Sequence, residues 1–158
     1  LLFLVKNLVQ SGAQPPTASN CCILGFHTAQ GSPAQTWGIM DYDTSGDFGS
    51  GTHDVSVSSH EINEWINDPL VNNATPAWGG IGQVSGCQDN FEVGDPLSGT
   101  LMPAITLGGY AYHLQELAFF SWYFTKDCDG SLGTGGKFSG NGTFGGPSKA
   151  CPPGGTYQ

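Results

Sequence analysis

Ser58-Ser59-His60-Glu61-Ile62-Asn63-Glu64-Trp65-Ile66-Asn67-Asp68-Pro69 is the stretch around which the chain is organised. On an α-helix His60 and Glu64 fall four residues apart on one face, so an imidazole nitrogen and a carboxylate converge on one metal ion, with Glu61 beside them as a base. The common zinc-protease form of this helix is H-E-x-x-H. Here a glutamate takes the place of the second histidine, which zinc accepts but which favours harder, oxygen-seeking ions such as calcium. The plain alternative is a solvated helix surface with one His and two Glu. Thr52 is a candidate cap for a helix in which Val55, Ser58, Ser59, Ile62 and Ile66 share a face, and Ser58 with Glu61 is a capping box for a shorter one. Asn67-Asp68-Pro69 ends either version.

A third ligand has to come from elsewhere. Cys87-Gln88-Asp89-Asn90-Phe91-Glu92-Val93-Gly94-Asp95-Pro96 is a second acidic cluster. In zinc proteases of the glutamate class a third carboxylate arrives a few tens of residues after the helix, and Glu92 stands in that position. Asp95 is then placed to orient His60 through its free ring nitrogen.

With 158 residues the chain is long enough for one domain with a genuine core. We expect a single α+β domain over residues 1–125 with a small mixed or antiparallel sheet, and a Gly/Ser-rich tail over 126–158 pinned by cysteines. An apolar start without a leader reads as a processed chain or as the C-terminal part of a longer precursor. Four Lys plus Arg against thirteen Asp plus Glu give a formal charge of −9, a field that repels nucleic acid and anionic membranes. Twenty-five glycines and ten prolines indicate a loop-rich fold. Scarce lysine with abundant Gly, Ser, Thr and Asn leans towards secretion. Cys21, Cys22, Cys87, Cys128 and Cys151 form no C-x-x-C pair, so disulfides are the expectation. Strand neighbours point to opposite faces, so Cys21 and Cys22 are expected to seek different partners, and the odd cysteine is either buried or joins two copies.

The remaining segments read as follows. Leu1, Leu4, Val5, Leu8 and Val9 recur at helical spacing, predicting a short amphipathic helix, too short to span a bilayer, that ends at Ser11-Gly12. Gln14-Pro15-Pro16-Thr17 is an extended linker. Cys22–His27 and Gln35–Tyr42 read as two strands pairing antiparallel, with His27 a hydrogen-bonding residue at a strand end. Asp41, Asp43 and Asp47 form an acidic turn that falls short of a calcium loop. Asn73-Ala74-Thr75 and Asn141-Gly142-Thr143 match the glycosylation sequon. Gly108–Phe124, dense in aromatics, reads as a strand entering the core, flanked by His113 and Glu116; His113 is also a candidate to support the metal site from outside its ligand shell.

Taken in order, Leu24-Gly25-Phe26-His27, Ser59-His60-Glu61-x-x-Glu64 with Asp68-Pro69-Leu70-Val71-Asn72, Glu92-Val93-Gly94-Asp95, and Gly109-Tyr110-x-x-His113-Leu114-Gln115 with Ser121-Trp122 form a set. The set resembles the EXORDIUM or phosphate-induced secreted proteins of plant cell walls and their bacterial relatives. The likeness covers roughly residues 22 to 123. It implies an extracellular or wall-associated location and a zincin-like metal site. Members commonly place a Cys just after the acidic segment, whereas here Cys87 precedes Glu92, so disulfide pairing does not carry over.

Two functions follow as expectations. The first is a secreted zinc-dependent peptidase or related hydrolase acting on a peptide or an extracellular polymer, in which His60, Glu64 and Glu92 hold the metal and Glu61 is the base. The second is a non-catalytic cell-surface module in which the same residues bind a structural cation or bond to one another. Exposed edge strands or the odd cysteine would let that module associate with further copies.

Overall fold

A computed structural model describes all of the chain except residues 9, 13–14, 16–20, 50–51, 125–136, 147, 149–150, 152–154 and 158. The fold is mixed α+β, mostly short strands arranged in small sheets with two helices. Among the described residues no helix is long and apolar enough to cross a membrane.

The sheet that positions the site has three strands: β1 (Leu2–Lys6), β4 (Gly25–Gln30) and β5 (Gln35–Tyr42), in the order β1-β5-β4. β4 and β5 pair antiparallel, from Gly25 opposite Met40 to Gln30 opposite Gln35, as their apolar patterning predicts. β1 corrects the expected N-terminal helix. Its residues run parallel to β5, from Leu2 opposite Gly38 to Lys6 opposite Tyr42. A helix there would have needed a core to cover, yet Leu1 and Leu4 are 75% and 69% exposed. The free edge of β5 offers backbone partners instead, and that tertiary pairing overrides a short periodic pattern.

Between β1 and β4, β2 (Gln10–Ser11) and β3 (Cys21–Ile23) form a small antiparallel pair. The Cys21–Cys22 expectation is overturned here, because the two sulfurs are bonded to each other. The peptide between them is cis and the Cα atoms lie 3.0 Å apart, so the side-chain alternation of a trans strand does not apply. Cys87 pairs with Cys151, whereas Cys128 and most of the Gln14–Thr17 linker lie outside the described residues.

The helix α1 (Ser56–Asn67) packs across β4 and β5. Neither expected cap is used. Val55 holds the N-cap position without a side-chain bond, and the Ser56 hydroxyl accepts from the His53 N–H at 3.0 Å. At the other end Asp68 Oδ1 accepts the N–H groups of Asn72 and Asn73, which turns the chain into β6 (Ala74–Ile81) and β7 (Val84–Asn90), an antiparallel hairpin. A 3-10 turn, Asp95–Leu97, follows.

The Gly108–Phe124 expectation fails in two places. β8 (Ile105–Leu107) and β9 (Tyr110–Tyr112) make a hairpin with Leu107 and Tyr110 about 70% exposed, so this stretch covers the surface. The apolar run after Glu116 is not a strand: Phe120–Tyr123 forms the single helical turn α2. A strand would split adjacent Trp122 and Tyr123 between two faces, whereas the turn sends both into the core and leaves Phe120 half exposed. That core consists of Trp78, Val84, Val93, Leu97, Ala118, Trp122 and Tyr123, wedged between the β6–β7 hairpin and α2, with Phe138 and Phe144 of the tail against it. Of the acidic turn, Asp41 is buried within β5, while Asp43 closes a local turn through Ser45.

Candidate metal centre

Three segments deliver ionisable side chains to one buried space. α1 contributes His60, Glu61 and Glu64, the loop after β7 contributes Glu92 and Asp95, and β4 contributes His27; all six are at most 8% exposed.

Glu64 is the hub. Its Oε1 accepts the backbone N–H groups of Gly94 and Asp95, at 2.9 and 3.1 Å, which locks the carboxylate against the acidic loop. Its Oε2 is left facing two imidazoles, with His60 Nε2 at 3.0 Å and His27 Nδ1 at 3.8 Å. His60 Nε2 also meets Asp95 Oδ1 at 3.4 Å, and His27 Nδ1 meets Glu61 Oε2 at 3.6 Å. Two groups capable of holding an ion follow, His60–Glu64–Asp95 and His27–Glu61–Glu64, sharing Glu64. Donors about 2.1 Å from a tetrahedral ion stand about 3.4 Å apart, so these spacings fit the donor set of a small divalent cation.

His27 is set for that task. Its Nε2 lies 3.1 Å from the Asp68 carbonyl oxygen, which can only accept, so Nε2 carries a proton and Nδ1 is the nitrogen that faces Glu61 and Glu64. The sequence placed His27 at a strand end as a hydrogen-bonding residue; it is hydrogen-bonded, but it lies within β4 and also faces the acidic cluster. The signal lay in Gly25-x-His27: residues two apart share a strand face, and that face looks at α1. A Cβ on Gly25 would lie 2.8 Å from Glu61 Cγ and Oε1, so glycine there makes room for Glu61.

The other sequence candidates are distributed unevenly. Glu92 reaches the cluster, but its contact is with His27 Nε2 at 3.7 Å. Its Oε1 accepts from Asn90, while Oε2 is buried with no hydrogen-bond partner among the described residues. Asp95 faces His60 Nε2 and not the far ring nitrogen, and it is held there by the amides of Gln83 and Gln88 at 2.5 and 2.9 Å. The far nitrogen, Nδ1, is instead 2.8 Å from the Gln115 amide, whose Nε2 also donates to the Gly94 carbonyl at 2.9 Å. Gln115 was thus missed by the sequence reading. His113 lies apart from the cluster, with its ring bonded to Asp54. Glu116 is fully buried and anchors the Ser139–Thr143 loop.

Charge in this space is out of balance. Burial, then the charges of Glu64, Asp95, Asp68 and Glu61, push Glu92 up to about 10. Burial likewise raises Glu61 and Asp95 against the pull of the histidines. Burial opposes a charge on the imidazoles as well, but the facing carboxylates outweigh it, so His27 is raised and His60 raised well above its ordinary value. Glu64 alone among these carboxylates is lowered: His60 and His27 and the Gly94 N–H overcome its burial. The cluster therefore demands positive charge, as protons or as an ion.

Two clefts reach it. One of about 410 Å³ is bounded by Gly25, Ser56, Val57, His60, Glu61 and Gln115, among others. The other, of about 240 Å³, is lined by His27, Glu64, Glu92 and Asp95 together with Gly25, His60 and Glu61. His60 and Glu61 thus wall both. Comparisons with protein-family models, curated proteins and solved structures find no match to this chain.

Proposed function

We propose that the chain is a metal-dependent hydrolase of the peptidase kind, with zinc held by His60, Glu64 and Asp95, one of the two donor groups that share Glu64. The observation that carries this reading is the division of labour at Glu64, where one oxygen is tied to two backbone N–H groups and the other is met by two imidazole nitrogens. Imidazole nitrogen and carboxylate oxygen are both donors that zinc takes. A bound zinc ion supplies Lewis-acid polarisation of a carbonyl and makes water more acidic.

The chain's own groups do the rest. Glu61, raised by burial and walling both clefts, is placed to take a proton from an attacking water and return it to a leaving amine. Asp95, fixed by two glutamine amides, flanks His60 and gives the ion its second carboxylate oxygen. A helix crossing a small sheet, with an acidic loop returning to it, supports a zincin-like arrangement. Together with the sequence resemblance, it supports a secreted member of the EXORDIUM-like group. The competing reading, a closed structural cation site in a surface module, draws on the depth of burial of all six groups. Glu61 on the cleft walls favours catalysis.

Metal content of the purified protein, measured by mass spectrometry, tests the proposal. We expect near-stoichiometric zinc in the parent, none in Glu64→Gln, and retained zinc without peptide hydrolysis in Glu61→Gln. A parent that takes up no ion when zinc is supplied refutes the enzyme reading. Zinc retained in Glu64→Gln refutes the ligand assignment.

A further inference from the structure

A second group of imidazoles lies away from Glu64. His53 and Asp54 precede α1, and His113 follows β9; the two rings face each other with centres 5.1 Å apart and planes inclined by 55°. Asp54 ties the group together. Its Oδ1 accepts the N–H groups of Val55 and His113, at 2.6 and 2.8 Å, and its Oδ2 lies 2.7 Å from His113 Nδ1. Burial alone would raise Asp54, but the bonds from the His113 ring and backbone outweigh it, so the carboxylate stays below its ordinary range and charged. Asp54 Oδ2 accepts from His113 Nδ1, so Nε2 is the ring nitrogen left to ligate. A carboxylate that fixes one ring nitrogen of a histidine so that the other can ligate is the standard support of a metal-binding imidazole.

His53 supplies the second half. Its Nδ1 is buried and has no hydrogen-bond partner among the described residues. The ring centres stand 5.1 Å apart, close enough for one ion to reach a nitrogen of each ring. The His113 side chain is 32% exposed and that of Asp54 27%, so water can complete a coordination sphere.

We propose that His53 and His113 form a second cation site, half open to solvent, for a borderline divalent transition ion, copper(II) or zinc, with Asp54 as the positioning residue. Imidazole nitrogen selects such ions over calcium and magnesium, and copper(II) binds most tightly of the first-row series. The site shares no residue with the Glu64 centre and stands whether or not that centre is catalytic. It also joins the approach to α1 to the segment that carries Gln115, so an ion bound there would brace the residue that contacts His60.

Copper(II) titration of the full chain tests it, read by isothermal calorimetry and by nitrogen coupling in the electron paramagnetic resonance spectrum. The Glu64→Gln variant serves as the background that removes the first centre. We expect one equivalent of copper with coupling from two imidazole nitrogens. The signal is lost in the added His53→Gln variant, and Asp54→Asn weakens affinity roughly 10- to 100-fold. His53→Gln leaves the Asp54–His113 pair in place, and an unchanged circular dichroism spectrum separates lost binding from lost fold. Copper bound with unchanged affinity and two-nitrogen coupling in His53→Gln overturns the proposal, as does a Glu64→Gln background that binds no copper. Failure of the parent to hold zinc at Glu64, with copper still bound at His53 and His113, would refute the hydrolase reading alone.

Discussion

Replacing Glu116 by glutamine isolates a single buried carboxylate that the fold uses as a peg. Glu116 is fully buried, and its Oε1 accepts from Ser139 Oγ at 2.5 Å and from the N–H groups of Asn141 and Thr143 at 2.7 and 3.3 Å. Its Oε2 accepts from Thr143 Oγ1 at 2.5 Å. Glutamine keeps the shape but turns an NH₂ group towards at least one donor. Both backbone N–H groups meet Oε1 and keep an oxygen, while the NH₂ group faces the Thr143 hydroxyl, which can rotate to accept from it. A hydrogen bond to a charged group contributes about 1.5–3 kcal/mol, more than a neutral one, so losing the charge behind these four bonds should cost about 2 kcal/mol. For a domain of this size that lowers Tm by about 4–8 °C. The pH dependence is an independent check. Burial opposes the Glu116 charge, but the four bonds outweigh it and hold the pKa below its ordinary value of 4.5. A depressed carboxylate stabilises the native state fully above the unfolded pKa, and that contribution disappears as pH falls through the folded value. Urea unfolding of parent and variant at pH 7 and pH 3 should therefore show a difference at the first pH that shrinks at the second. A difference under 0.5 kcal/mol at pH 7, or one that does not change with pH, would refute the argument.

Other perturbations bear on the site and on its frame. Glu92→Gln should lower zinc affinity less than about tenfold, since Glu92 contacts His27 and not Glu64 or His60; zinc lost as completely as in Glu64→Gln would restore Glu92 as a ligand. Gly94→Ala places a Cβ 2.5 Å from His60 Nδ1, so it should displace the ring and abolish zinc binding with the fold retained by circular dichroism, and unchanged zinc content would contradict the geometry. Zinc binding should release protons from the raised histidines, so calorimetric enthalpies should differ between buffers of different ionisation enthalpy; equal enthalpies would mean that no proton is displaced. Cys151→Ser opens a link spanning 64 residues and should cost up to about 4 kcal/mol of stability in denaturant.

The helix and the acidic loop were legible in the sequence because their information is local. Four-residue spacing places His60 and Glu64 together wherever the helix lies, and the β4–β5 pair follows from two apolar runs. What escaped depends on partners distant in sequence. β1 became a strand because β5 had a free edge, which no pattern within residues 1–9 records. Gln115 lies 55 residues from His60, and nothing in its own neighbourhood marks it as the group that meets Nδ1. His27 is intermediate. A lone histidine at a strand end is usually a satisfied polar residue, and only the Gly25-x-His27 spacing, with α1 laid across that face, gives it a different meaning.

The case for a cation finally rests on what the cluster costs without one. Glu61, Glu64, Glu92 and Asp95 bring four carboxylates into a space where none is more than 5% exposed, against two imidazoles and, among the described residues, no lysine or arginine paired with them. Proteins do not keep unpaired charges of one sign together in the interior, because desolvation and repulsion act in the same direction. The ion-free protein answers with protons, on both histidines and on Glu92, which is pushed up to about 10. Protons alone leave Glu92 Oε2 without a hydrogen-bond partner among the described residues. A divalent ion on Glu64 Oε2 would lower the repulsion on every carboxylate at once, and it would free the His60 nitrogen to act as a donor. A purely structural hydrogen-bond network needs no such excess of acid. The excess of acid is what supports the proposed cation.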